Sequence, residues 1–199
     1  MAQIKLTYFD IAGRAELTRL AFAHGGIAFE DERIAGPVFA ERKPTLPLGQ
    51  LPVIAVDGVT YPQSMAMARY AGRLSGLYPT DALQALKVDS VIESIVDVVN
   101  KFIEIKWGTP DAAQQEEKTK VFVEKTLPQT FRYLESLVQG KFFFGDSPTL
   151  ADVELFNTIT NALKPNFPAF STSPYSKLEA VAANVKALPK IASYLASKK

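Results

Sequence analysis

The segment of residues 49–64, GQLPVIAVDGVTYPQS, constrains the fold more than any other part of this chain. Pro52 precedes a short apolar run, Val53 to Val56, and Asp57-Gly58 is a two-residue sequence that favours a tight hairpin turn. A second short strand follows, and then Ser64, a good N-cap for the helical pattern after it. Such a segment presents N–H groups, a hydroxyl and an amide, which suits an extended anionic peptide. An ordinary capped hairpin without a ligand is the alternative.

The residues before this hairpin complete a small α/β unit. Alternating apolar residues predict strands over residues 4–8 and 28–34, and helical periodicity predicts a helix over residues 14–23 between them. Residues 37–48 contain three prolines and are expected to form an irregular loop. The order of elements, βαβ followed by a loop and then ββα, resembles the thioredoxin-like fold.

No strand pattern is found beyond the segment 75–80, which contains a glycine and a proline and is the natural linker. Residues 81–107 predict a long helix, because apolar residues recur in them at helical spacing. A second helix is expected over residues 112–138, with a kink at Pro128. Two shorter helices are expected at the end of the chain, the last of them starting near Pro189.

The second half is therefore predicted to be entirely helical. Thr149 with Asp152 starts one of its helices in a pattern close to a capping box, with Asp replacing the usual Glu or Gln. The predicted fold class is an α/β thioredoxin-like domain followed by an all-α domain. The expected boundaries are residues 1–76 for the first domain, 77–82 for the linker and 83–199 for the helical domain.

Composition excludes several classes of function. The chain has no cysteine, which removes disulfides and any CxxC redox pair, so a thiol that reacts here must arrive with a ligand. His24 is the only histidine, and its expected role is at a helix end. The net charge of +1 gives no case for nucleic acid or an anionic membrane as partner. Without a signal-like apolar segment, we expect the protein to be cytoplasmic.

Several short motifs, in this order and spacing, are similar to those of cytosolic glutathione transferases over nearly the whole chain, most of all to the sigma class. They are Leu6-Thr7-Tyr8-Phe9, Gly13-Arg14-Ala15-Glu16, Leu51-Pro52, Asp57-Gly58, Gln63-Ser64, Ala68-Arg69-Tyr70 and Thr149 with Ala151-Asp152. Each motif is weak alone, and their combination is specific. The resemblance implies glutathione as co-substrate and a homodimer in which the helical domain carries the electrophile site and the dimer contacts.

The resemblance gives Tyr8 and Arg14 the catalytic roles. The Tyr8 hydroxyl would donate a hydrogen bond to the glutathione sulfur, and Arg14 would support the thiolate. Lowering a thiol pKa from about 8.5 to about 6.5 requires about 2.7 kcal/mol of preference for the charged form. A charge-assisted hydrogen bond supplies about half or more of that. The alternatives are a packed strand tyrosine and a surface arginine paired with an acid such as Glu16.

The same resemblance assigns the γ-glutamyl and cysteinyl ends of glutathione. The backbone at Leu51 and Pro52, with a cis peptide before the proline, would pair with the cysteinyl part. Gln63 and Ser64 would hold the γ-glutamyl end, since a helix start is a good anion site. Asp97 would reach across a dimer to the γ-glutamyl ammonium of the other subunit. The alternative for Asp97 is a solvated helix face.

The glycyl end departs from the family pattern. Lys43 would reach the glycyl carboxylate, although a freely solvated lysine is the alternative. Phe39 stands where a tryptophan is common and cannot donate a hydrogen bond. Gln50 stands where a lysine is common, so a charged contact becomes a neutral one. We therefore expect glutathione affinity at the weaker end of the family.

The expected function is conjugation of the glutathione thiolate to small hydrophobic electrophiles. One alternative is a non-catalytic, S-crystallin-like structural or ligand-binding protein. Another is a glutathione-dependent prostaglandin isomerase, and peroxidase activity is also compatible with such a thiolate. No metal site is expected, because the acidic cluster that binds a metal in some members of the resembled family is incomplete here. Glu93 and Asp97 are present, but Val96 interrupts the cluster.

Overall fold

The structure, a computed structural model, describes residues 2–198. The chain forms two compact units. The first contains the described residues up to Tyr78 together with those from Pro189 onwards, and the second is Pro79–Leu188. The change of unit at Tyr78 falls inside the predicted linker.

The first unit contains a four-stranded sheet in the order β2-β1-β3-β4. Its strands are β1 Ile4–Phe9, β2 Glu30–Ile34, β3 Val53–Val56 and β4 Val59–Tyr61. Its first helices are α1 Glu16–Gly25, α2 Gly36–Arg42 and α3 Ser64–Ser75. β1 is parallel to β2 and antiparallel to β3. The predicted βαβ-ββα order is confirmed.

The hairpin between β3 and β4 forms as its sequence predicts. Asp57 and Gly58 both have positive φ angles, 49° and 83°, as the favoured two-residue hairpin turn requires. The prediction of an irregular loop over residues 37–48 was wrong, because the structure has α2 there, followed by two 3-10 turns. Pro37 lies in the first turn of α2, where a missing N–H costs nothing.

The second unit is all helical between residues 82 and 187, apart from short connections. Its helices are α4 Ala82–Trp107, α5 Ala112–Val121, α6 Leu127–Leu137, α7 Leu150–Asn157, α8 Lys164–Asn166 and α9 Ser176–Ala187. The long α4 buries an apolar stripe that includes Val88, Ile92 and Ile95. Val98 and Ile105 are also buried, whereas Val99 and Ile103 are only half-buried.

Two π-helical turns each end shortly before a proline. One covers Phe122–Thr126 and precedes Pro128, and the other covers Thr158–Leu163 and precedes Pro165. A proline has no N–H, and its ring meets the carbonyl four residues earlier, so a wider turn relieves the conflict. The kink expected at Pro128 stays a prediction; the structure has a π turn between α5 and α6 just before it.

The capping box at the start of α7 is confirmed. The N–H and the hydroxyl of Thr149 both donate to the Asp152 carboxylate at 2.7 Å. The other oxygen of Asp152 accepts the N–H of Phe143 at 2.8 Å. Burial raises the pKa of Asp152, while these hydrogen bonds act in the opposite direction.

The last helix, α10 Pro189–Ser197, belongs to the first unit and packs against α1. The sequence prediction had placed it in the helical domain, residues 83–199. The pattern of apolar residues predicts that a helix forms, but it does not specify which neighbour the helix packs against.

Among the described residues, no helix has the length and apolar composition needed to cross a membrane.

A buried carboxyl group, Glu154 on α7, has no role in any predicted site. Asn157 Nδ2 donates to it at 3.0 Å, and the Thr158 hydroxyl donates at 3.4 Å. Burial raises the pKa of Glu154 from 4.5 to about 7, because neither partner carries a positive charge. Between about pH 4.5 and pH 7, the folded protein thus keeps a proton on Glu154 that the unfolded chain has already released.

We expect Glu154→Gln to remove a pH-dependent loss of stability. The contribution of Glu154 to the unfolding free energy falls as pH rises from about 4.5 to about 7, by about 3 kcal/mol in total. Urea unfolding should find the variant close to wild type at pH 4.5 and clearly more stable at pH 8. The exposed Glu117→Gln is the matched control and should show no such difference. A constant wild-type-to-variant difference across this range would contradict the assignment.

Candidate functional site

Tyr8 lies near the carboxyl end of β1 with its side chain buried. The backbone N–H of Arg14 donates to its hydroxyl oxygen at 3.3 Å. The ring is also tilted against that of Phe9, with centroids 5.4 Å apart. The hydroxyl is therefore held in place by the turn that leads from β1 into α1.

Gly13 permits this close approach of backbone to tyrosine. Its φ is +44°, and a Cβ at this position would lie only 2.7 Å from the Tyr8 hydroxyl oxygen. A side chain here would displace the ring or the turn. The sequence analysis gave Gly13 no role of its own, although its place just after a strand and before a helix is typical of a turn glycine.

Arg14 lies in the 3-10 turn Gly13–Ala15, before α1 rather than in its first turn as expected. Its side chain is exposed, while its backbone N–H binds the Tyr8 hydroxyl. The structure thus brings Arg14 next to Tyr8 through the main chain.

Strand register brings Pro52 and Gln63 to the same end of the sheet as Tyr8. Thr7 is paired with Val53, so the next position along sets Tyr8 level with Pro52. Ile54 is paired with Tyr61, the last residue of β4, so the chain leaves β4 towards Gln63 at the end of the sheet where Pro52 lies. The Leu51–Pro52 peptide is cis, as the resemblance implies. Ligands of α/β sheets gather at the carboxyl ends of parallel strands such as β1.

The start of α3 differs from the prediction by one residue. Gln63, not Ser64, is the N-cap, and Ser64 is the first helical residue. Gln63 has φ 79° and ψ 100°, a conformation that costs a non-glycine residue on the order of 1–3 kcal/mol. Such strain is typical of functional sites, and this residue directly precedes the free N–H groups of the helix.

Phe39 and Lys43 lie together beside Phe9. The Phe39 ring on α2 meets the Phe9 ring edge-on at 5.3 Å, and the Lys43 ammonium lies 6.0 Å from the Phe39 ring centre. Gln50, also predicted for the glycyl end, is exposed just before the cis proline. Asp97 is in the second unit, where it lies exposed in the middle of α4.

A buried ion network that the sequence analysis missed lies behind Tyr8. Arg19 and Glu16 on α1 are both 0% exposed and form an ion pair at 3.4 Å. The Arg19 guanidinium also binds Asp31 at 2.9 Å and the carbonyl of Ile11 at 2.8 Å. Its central carbon lies 5.9 Å from the centre of the Tyr8 ring. Two charged residues three apart in an otherwise apolar helix were the available signal.

Within the described part of the chain, residues 2–198, no group of three His, Cys, Asp or Glu side chains is arranged to hold a metal ion.

Comparison with known proteins agrees with this architecture. The family model for the glutathione S-transferase C-terminal domain matches residues 96–198. Hematopoietic prostaglandin D synthase of Gallus gallus is 33% identical, with 98% of this chain and 96% of that protein covered. Glutathione S-transferase 4 of Caenorhabditis elegans is 32% identical, over 100% and 98% of the two chains. S-crystallin SL11 of Nototodarus sloanii is 31% identical over 98% and 96%.

Solved structures show the same fold. Prostaglandin synthase D of Nilaparvata lugens superposes with a TM-score of 0.91 at 26% identity, covering 99% of this chain and 98% of that one. A Caenorhabditis elegans-specific glutathione transferase gives 0.87 at 26% identity, over 100% and 98%. With a matching family model and full-length relatives above 30% identity, the chain belongs to the glutathione S-transferase family and is a glutathione transferase.

Proposed function

We propose that this glutathione transferase joins the thiolate of glutathione to small hydrophobic electrophiles, with Tyr8 and Arg14 as its catalytic residues. The observation that carries the proposal is the Tyr8 hydroxyl, fixed at the carboxyl end of β1 and level with Pro52. The Arg14 N–H occupies one lone pair of the hydroxyl oxygen, so the hydroxyl proton remains free to be donated to a sulfur atom.

The proposed reaction begins when the glutathione thiol releases its proton to solvent. The Tyr8 hydroxyl donates to the resulting thiolate, and the Arg14 charge adds to the preference for the anion. The sulfur then attacks the electrophilic carbon, and it either displaces a leaving group or adds to a conjugated double bond. The second product is the leaving-group anion in the first case. In the second case the adjacent carbon takes up a proton.

The cysteinyl backbone and the γ-glutamyl end of glutathione would lie along the same end of the sheet. The backbone at Leu51 and Pro52 would pair with the cysteinyl residue. Gln63 and Ser64 would bind the γ-glutamyl carboxylate, supported by the N–H groups at the start of the twelve-residue α3. The strained backbone of Gln63 supports this role, because no other reason for the strain is evident at this position.

Tyr8→Phe should lower the rate of glutathione conjugation to chloro-dinitrobenzene at neutral pH by about 10–100-fold. The reason is the loss of one charge-assisted hydrogen bond, which should also raise the pKa of the bound thiol by about one to two units. Rates measured between pH 6 and pH 9 would show both effects. Tyr133→Phe, at an exposed tyrosine of α6, is the control. Equal turnover by wild type and Tyr8→Phe would refute the role of Tyr8.

We further propose that Phe39, Lys43 and Gln50 hold the glycyl end, and only loosely. Phe39 packs against Phe9 and Lys43 but has no donor, and Gln50 is neutral. The expected wild-type dissociation constant for glutathione is therefore above the submicromolar range.

Gln50→Lys should tighten glutathione binding by about fivefold or more, because it adds one charged contact to the glycyl carboxylate. Isothermal calorimetry measures this directly. Gln3→Lys adds the same charge at another exposed position of the first unit and is the matched control. Submicromolar wild-type binding, or equal gains from both variants, would contradict a loose glycyl end.

A sigma-like homodimer is part of the same proposal. The first half of α4 exposes Leu83 and Leu86, 59% and 61% accessible, which are unusual for a solvated helix face. Asp97, further along α4, would reach the γ-glutamyl ammonium bound to the other subunit. Cytoplasmic location and the removal of harmful electrophiles would accompany this activity.

Sedimentation equilibrium should give twice the chain mass of 21.8 kDa. Leu86→Glu should shift the protein towards monomer, because it places a charge in the apolar contact. Asp97→Asn should keep the dimer but weaken glutathione binding, and Asp146→Asn, at another exposed aspartate, should change neither. A monomeric wild type that binds glutathione normally would exclude the shared site.

Two other functions remain candidates. A relative is named S-crystallin, and the changes at Phe39 and Gln50 favour a protein that has lost activity. Absence of detectable glutathione binding by calorimetry would support that structural function. Other relatives are named prostaglandin D synthase, which favours a prostaglandin isomerase acting at the same site. Direct assay with prostaglandin H2 distinguishes this activity from general conjugation.

A further inference from the structure

Hydrogen bonds connect α10 and the residue after it to both ends of α1. Lys190 and Tyr194 are four residues apart and share one face of α10, and Lys198 directly follows its last residue, Ser197. The Lys190 ammonium donates to the carbonyl of Gly25, at the end of α1, at 3.3 Å. The Tyr194 hydroxyl and the Lys198 ammonium both donate to one carboxylate oxygen of Glu16, at the start of α1.

Glu16 thus lies between the C-terminal segment and Arg19, and it accepts hydrogen bonds from both. One carboxylate oxygen binds Tyr194 and Lys198, and the other accepts from Arg19 at 3.4 Å. Burial and the charge of Glu16 raise the pKa of Tyr194, so this hydroxyl stays a neutral donor. The negative charge of Glu16 is therefore divided between α10 and Arg19.

The charge of Arg19 connects Glu16 with Tyr8. Its guanidinium is wholly buried, its centre is 5.9 Å from the Tyr8 ring, and its Nη2 atom has no hydrogen-bond partner among the described residues. A buried cation is screened little by solvent, so its field extends to neighbouring groups. The more of the Glu16 charge that Lys198 compensates, the more of the Arg19 charge remains effective beside Tyr8.

We propose that Tyr194 and Lys198 are positioning residues for the Tyr8 site, which they influence through Glu16 and Arg19 by favouring negative charge there. The inference rests on the proposed function, in which that negative charge is the glutathione thiolate. It extends the functional unit to the last helix, whose residues do not themselves touch the reacting atoms.

The charged and titratable groups around this chain of contacts come from four elements and the residues directly after two of them. They are Tyr8 on β1, Asp10 after it, Glu16 and Arg19 on α1, Asp31 and Arg33 on β2, Tyr194 on α10, and Lys198 directly after α10. Arg33 bridges Asp31 and Asp10 at 2.9 Å and 2.8 Å, so these two acids are already compensated. Glu16 is the acid whose compensation depends on α10.

The test compares Lys198→Met with Lys190→Met. Both substitutions remove one ammonium that contacts α1, but only Lys198 binds Glu16. The measurement is the pKa of the bound glutathione thiol, from thiolate absorbance of the full-length protein at saturating glutathione. Lys198→Met should raise it by about half a unit or more. Its kcat should fall about threefold or more at pH 6.5 and approach wild type at pH 9, with KM for glutathione unchanged.

Three further variants complete the design. Lys198→Arg should restore the wild-type profile, and Tyr194→Phe should shift it in the same direction as Lys198→Met. In a Glu16→Gln background, Lys198→Met should have no further effect, since the carboxylate through which it acts is gone. Thermal unfolding of every variant separates loss of structure from a changed thiol.

The possible results are distinct. If wild type forms no thiolate with glutathione, the proposed function fails, and the inference fails with it. If wild type forms the thiolate but Lys198→Met and Lys190→Met have the same profile, the inference alone is overturned. The same holds if Lys198→Met lowers stability without moving the thiol pKa.

Discussion

The contact between the Gly13 backbone and the Tyr8 hydroxyl is the constraint on which the first unit depends. A Cβ at this position would lie only 2.7 Å from that oxygen, so only glycine fits, and the turn has the positive φ that glycine adopts freely. The same turn delivers the Arg14 N–H to the hydroxyl and begins the path into α1. The direction of α1 in turn carries Glu16 and Arg19 inward, behind the tyrosine. Gly13 thus determines the positions of the Tyr8 hydroxyl, of its main-chain donor and of the buried charged residues near it.

The two units treat buried charge in different ways. In the first, Arg19 and Glu16 form an ion pair, and each has several further polar partners that offset the loss of water. In the second, Glu154 has only the amide of Asn157 and the hydroxyl of Thr158, so its pKa rises to about 7. A paired buried ion keeps a fixed field, whereas an unpaired carboxyl gains or loses its charge near neutral pH. A lasting field is useful beside a reaction that forms an anion.

Features determined by local chemistry could be predicted from the sequence. The Asp57-Gly58 turn, the long α4 and the Thr149–Asp152 capping box depend on residues within a few positions of one another. The helix α2 was missed because prolines were interpreted as breaks, although Pro37 occupies a position where proline is favoured. Gln63 was missed as N-cap because a strained backbone at a non-glycine residue has no sequence signature.

The charged background of the site could not be predicted for a different reason. The burial of Glu16 and Arg19 depends on partners such as Asp31 and Tyr194, which are distant in sequence. Helical periodicity shows that α10 has an apolar face, but the choice of α1 as its neighbour is made only in the folded chain. The residues predicted to bind a ligand follow motifs, whereas the buried charges beside them do not.

The packing of α10 against α1 also has a consequence for the order in which the protein is made. Tyr194 and its partner Glu16 are 178 residues apart, and the entire second unit is synthesised between them. While a ribosome is still translating that unit, the nascent first unit has its strands and α1 but not the groups that cover Glu16. Its burial is completed only after α10 emerges, so contacts of this sequence separation form late. A cell therefore obtains the finished first unit only from chains whose second unit has already been made.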